Sequence, residues 1–110
     1  MMNRSCLIID NDHQKEEIEK LVRDAHAVGI NLHCEELNIG HTAHPEFLTD
    51  GNIDIDKVEA EFLKKFGRID FDFVAIDYGL DDDQINGVEL VRLLASKKIL
   101  LHSPKLIFSG

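Results

Sequence analysis

"FDFVAIDYGLDDDQINGVELVRLL", residues 71–94, passes from an apolar run through a cluster of carboxylates into a helical pattern. "FDFVAID" (71–77) reads as a strand, the most hydrophobic of the chain, and it ends on Asp77. "NGVELVRLLASKK" (86–98) reads as a helix, with Leu90, Val91, Leu94 and Ala95 turned inward at helical spacing. Gly87 lets the start of that helix pack closely on the strand. Between the two elements lie Asp81, Asp82 and Asp83, read as a solvated loop. Carboxylates gathered in one place repel and cost stability. A bound cation would offset that cost at Asp77.

Working outward, "SCLIID" (5–10) is a short continuous apolar run, the mark of a strand covered on both faces, and it leads into Asp10-Asn11-Asp12. Residues 12–29 form an amphipathic helix on Ile18, Leu21, Val22 and Ala25, with Asp12 as N-cap and Gly29 as its stop. "INLHCEEL" (30–37) alternates Ile30, Leu32 and Cys34 with polar residues, as a more peripheral strand does. Residues 38–52 have no clear period and read as a loop. In "IDIDKVEAEFLKKFG" (53–67), Ile55, Val58, Phe62 and Phe66 share one helical face before Gly67. "KLIFSG" (105–110) is a last strand, introduced by Pro104 and reaching Ser109. Strands alternating with helices predict an α/β fold, one domain over 1–110, built on an open parallel sheet with right-handed crossovers.

Composition narrows the function. Twenty-one acidic against 12 basic residues leave a net charge of −9. That balance argues against nucleic acid and anionic membrane surfaces as direct partners, since both need clustered Lys and Arg. No apolar run approaches the ~20 residues of a membrane-spanning helix, and the start "MMNRSCLIID" does not read as a signal peptide. A cytoplasmic location is expected. Cys6 and Cys34 lie in apolar strand-like surroundings and read as buried free thiols rather than a disulfide. His41 and His44 share a loop but lack two further ligands at structural zinc spacing. Phe47, Phe62, Phe66, Phe71 and Phe73 read as core.

In an open parallel sheet, ligands sit beyond the carboxyl ends of the strands. If the strands ending at Asp10 and Asp77 are neighbours, Asp10, Asp12 and Asp77 converge. Hard oxygen ligands without Cys or His suit Mg²⁺. An aspartate beside that cation can accept a phosphoryl group, because the metal neutralises the phosphate oxygens.

"LIIDND", "FDFVAID", "NGVELVRLL" and "PKLIFSG", in this order along nearly the whole chain, resemble the receiver domains of two-component response regulators. The resemblance implies a flavodoxin-like sheet of order 2-1-3-4, strands counted along the chain. It implies Asp77 as phosphoacceptor and Asp10 and Asn11 at the positions of the Mg²⁺-holding acidic pair. Gly79 would complete metal coordination through its carbonyl, and Ser109 would be the switch hydroxyl. Such a domain is not an enzyme acting on a metabolite. It takes its phosphoryl group from a sensor histidine kinase or phosphotransfer protein and signals to an output domain or effector.

The chain departs from the family at three places. Asn11 stands where a carboxylate is expected, with Asp12 as the substitute ligand. The turn from Asp77 to Gly87 is longer than usual and lacks proline. The fifth βα unit, with its phosphate-pairing lysine, has no counterpart, since Lys105 lies at the wrong end of its strand. The apolar edge this leaves on the 105–110 strand is expected to pair with a second copy in a homodimer. Two alternatives use the same residues. One is a degenerate receiver that only docks proteins. The other is a haloacid-dehalogenase-type phosphohydrolase, with Asp10 as nucleophile and Asp12 as general acid.

Overall fold

The computed structural model describes residues 2–10, 15–39, 45–80, 82 and 84–108. Its elements run β1 (Met2–Asp10), α1 (Lys15–Ala27), β2 (Ile30–Asn38), a single 3₁₀ turn (Pro45–Phe47), β3 (Leu48–Thr49), β4 (Asn52–Ile53), α2 (Ile55–Phe66), β5 (Phe73–Asp77), α3 (Gly87–Ser96) and β6 (Lys105–Phe108). The α/β class and the parallel sheet expected from the sequence are present. Four strands form this sheet in the order β2-β1-β5-β6, every neighbouring pair parallel.

The chain leaves β1 toward one side of the sheet and returns after β2 to the other side of β1. With right-handed crossovers, that reversal sends α1 to one face and α2 and α3 to the opposite one. The core follows this division. Leu7, Ile9, Val74 and Ile76 pack with Val58 and Phe62 of α2 and Leu90 and Leu94 of α3 in the larger cluster. Cys6, Ile8 and Leu32 form a smaller cluster on the other face, covered by Ile18 and Ala25 of α1. No residue of α1 is fully buried.

Register is fixed at the amino end of the sheet. The Asp72 carboxylate accepts the Ser5 backbone N–H at 2.7 Å, and the Ser5 hydroxyl accepts the Asp72 N–H at 3.1 Å. Ser103 ties β5 to the lead-in of β6, accepting from the Phe71 N–H at 2.8 Å and donating to Asp70 at 3.1 Å. These bonds set Cys6 beside Phe73 and Ile9 beside Ile76. One step further along both strands lie Asp10 and Asp77.

The segment read as a loop over 38–52 holds more structure than expected. Thr49 and Asn52 pair across Asp50 and Gly51, whose φ angles of 54° and 81° are those of a tight hairpin turn. The hairpin brings Phe47 and Ile53 into the core. β6 is the outer strand of the sheet, and its apolar residues Leu106 and Ile107 are 61% and 38% exposed.

α3 starts with unusual closeness to β5. The Asn86 side chain caps it by accepting the Glu89 N–H at 3.0 Å, and the Gly87 N–H bonds the Tyr78 carbonyl at 2.8 Å. A Cβ on Gly87 would lie 2.2 Å from the Asp77 carbonyl oxygen, so the packing role read for this glycine is present. Gly87→Ala is therefore expected to lower stability by about 3 kcal/mol, the upper part of the overpacking range. Asn86→Ala is expected to cost about 1 kcal/mol as a lost cap. Urea unfolding midpoints of the two variants check both the sizes and their order.

Candidate functional site

The strand order reverses at β1 and β5, and in open parallel sheets the crevice for ligands lies at the carboxyl ends of the strands flanking such a point. Asp10 ends β1 and Asp77 ends β5. Asp10 is the more enclosed, 2% exposed, with its carbonyl accepting the Ile39 N–H at 2.9 Å. The Asp77 side chain is half-buried and faces the Asp10 carboxylate closely enough for the two to share a proton. Burial raises the Asp77 carboxyl above the usual carboxylate range, and the hydrogen bond and negative charge of Asp10 push it further the same way. The Gly79 N–H, donating to Asp77 Oδ1 at 3.2 Å, works against that rise.

Two carboxylates share a hydrogen bond only when a proton lies between them. A hard cation can take the place of that proton and remove the repulsion without leaving either oxygen unpaired. The donor chemistry of the pair thus fits Mg²⁺. Among the described residues, no group of three or more His, Cys, Asp or Glu side chains is placed to hold a metal. Asn11, Asp12 and Ser109 lie outside the described residues, as do Asp81, Asp83, His41 and His44.

Gly79 touches the site through its N–H, which orients the Asp77 carboxylate. Asp82 is not a solvated loop residue. Its Oδ1 accepts the Ile53 N–H at 2.7 Å, and its Oδ2 accepts the N–H groups of Gln84 and Ile85 at 2.8 Å each. It fastens the loop beyond Asp77 to the hairpin. Leu80 anchors the same loop by burying its side chain in the core. Neither role was read from the sequence; the Asp-x-x-Ile pattern from Asp82 to Ile85 is the faint signal, since an aspartate readily bonds N–H groups two and three residues on. Lys105 lies beside Val74 at the far end of β5, and its ammonium donates to the Leu100 carbonyl.

Comparison of the chain with protein-family models, curated proteins and solved structures finds no match in any of the three. Among the described residues, no helix is long and apolar enough to cross a membrane.

Because the folded Asp77 holds its proton more tightly than the unfolded chain does, its contribution to stability is complete below the ordinary carboxylate pKa. That contribution is lost as pH rises through the folded value. Asp77→Asn should flatten this dependence and be more stable than wild type at neutral pH by on the order of 1 kcal/mol. Urea midpoints across about pH 4 to 8 check it; parallel wild-type and variant curves would contradict the like-charge contact.

Proposed function

We propose that the chain is a receiver-type phosphoacceptor domain with a flavodoxin-like sheet, in which Asp77 takes a phosphoryl group from a phosphohistidine in a Mg²⁺-dependent reaction. The observation that carries this reading is the meeting of Asp10 and Asp77 at the reversal point of a parallel sheet. The donor is a sensor histidine kinase or a phosphotransfer protein, and the product signals to an output domain or effector.

In the transfer, an Asp77 oxygen attacks phosphorus, the phosphorus–nitrogen bond of the phosphohistidine breaks, and an acyl phosphate forms on Asp77. Mg²⁺ supplies neutralisation of the phosphoryl oxygens. Asp10 and Asp77 are its carboxylate ligands in this proposal, joined by Asn11, Asp12 and the Gly79 carbonyl. The Gly79 N–H holds the Asp77 carboxylate in one orientation, which lowers the entropy lost on reaching the attacking geometry. Ser109 is the hydroxyl that binds the phosphoryl group after transfer.

Signalling needs a contact surface, and the outer strand offers one. Leu106 and Ile107 are exposed on opposite faces of β6, and Lys105, the charge that would discourage edge pairing, is engaged by Leu100. Pairing of this edge with a second copy is part of the proposal. It predicts a sedimenting dimer that Ile107→Lys dissociates; a wild-type monomer at high concentration would remove this element.

The central test incubates the protein with Mg²⁺ and a small phosphodonor such as acetyl phosphate. Wild type should gain one phosphoryl mass that hydroxylamine removes, and Asp77→Asn should gain none. A wild-type chain that stays unmodified, with amide resonances near Asp77 unmoved by Mg²⁺, would overturn the reading and leave a module that only docks proteins.

A further inference from the structure

Cys6 and Cys34 are the two cysteines of the chain, and both are free thiols. They are far apart in sequence but stand directly opposite each other in the parallel register of β1 and β2. Neighbouring strands lie ~4.8 Å apart, inside the ~4.4–6.8 Å between Cα atoms that a disulfide spans. Directly paired residues of adjacent strands point to the same face. Here both side chains turn toward α1, in one apolar cluster with Ile8 and Leu32. Cys6 is fully buried, whereas Cys34 is only half-buried and sits on the outer strand β2.

We propose that this pair is a redox site that closes to a reversible disulfide between β1 and β2 when the chain meets a small-molecule disulfide such as oxidised glutathione. Cys34 is the entry thiol and Cys6 the resolving one. The Cys34 thiolate attacks one sulfur of the reagent, forming a mixed disulfide and releasing one glutathione. Cys6 then gives up its proton and attacks the Cys34 sulfur, forming the protein disulfide and releasing the second glutathione. Two electrons and two protons pass from the protein thiols to the reagent, which leaves as two thiols.

The asymmetry in exposure dictates this order, because a tripeptide disulfide can reach the outer strand but not the interior of the sheet. Burial pushes the Cys6 thiol up to about 12 and raises Cys34 as well, so little thiolate is present at neutral pH. Closure is correspondingly slow, which suits a response to sustained rather than momentary oxidation. The link needs no rearrangement of the strands, since the register already holds the partners opposite each other.

The experiment incubates the folded chain with oxidised glutathione, quenches with iodoacetamide and reads intact mass. The expected product is a monomer lighter by two hydrogens, with no alkylatable thiol, restored by dithiothreitol. Cys6→Ala should stop as a stable glutathione adduct at Cys34, and Cys34→Ala should stay unmodified over the same time. Stable adducts on wild type, dimers joined by disulfides, or two thiols still alkylated after wild type has been exposed would overturn the site. Modification of Cys34→Ala as fast as Cys6→Ala would overturn the order of attack. The wild-type mass alone decides closure if either variant folds poorly.

Discussion

The register between β1 and β5 leaves Asp10 and Asp77 no place except beside each other. Ser5 and Asp72 lock that register at the amino end of the strands, where each bonds the other through both backbone and side chain. A slip of one residue would turn Leu7 and Ile9 out of the larger core, so the hydrophobic pattern defends the same alignment. The two carboxylates at the far end thus accept a contact that neither would choose alone. Asp77 is held from other directions as well: its backbone carbonyl abuts Gly87, and its side chain takes the Gly79 N–H. A carboxylate held in this way finds relief from the repulsion in a proton or a cation.

Much of the scaffold was legible because periodicity and burial coincide. In α2, Val58 and Phe62 are buried and Ile55 and Phe66 pack against the same cluster, as their spacing implies. In α3 the same holds for Leu90, Val91 and Leu94. The segments that escaped reading lack a period. Ile99 and Leu100 are buried beyond the end of α3, in a stretch where Lys98 and Leu100 adopt φ of 60° and 56°, so no helical or strand repeat could have placed them. The hairpin at 48–53 was signalled by Asp50-Gly51, but strands of two residues are too short to show alternation.

At the site, the approach of two strand-end aspartates could be inferred from strand identity alone. The N–H of Gly79 could not, because it depends on the backbone direction after the strand. Asp82 was misjudged for a related reason: an aspartate in an acidic run looks solvated until its backbone partners are known.

The two faces of the sheet are unequal. One carries α2, α3 and most of the buried side chains; the other carries α1, which rests on a small cluster and is separated from part of the sheet by a groove of about 600 Å³ lined by Leu21, Ala25, Leu32 and Phe73. A helix seated so shallowly detaches at less cost than the rest of the molecule unfolds, and its amides should trade hydrogen with solvent long before those of β1 do. Each such excursion uncovers the paired sulfurs beneath it. The pace at which the environment reads them then follows both the breathing of this lid and the scarcity of thiolate in the pair.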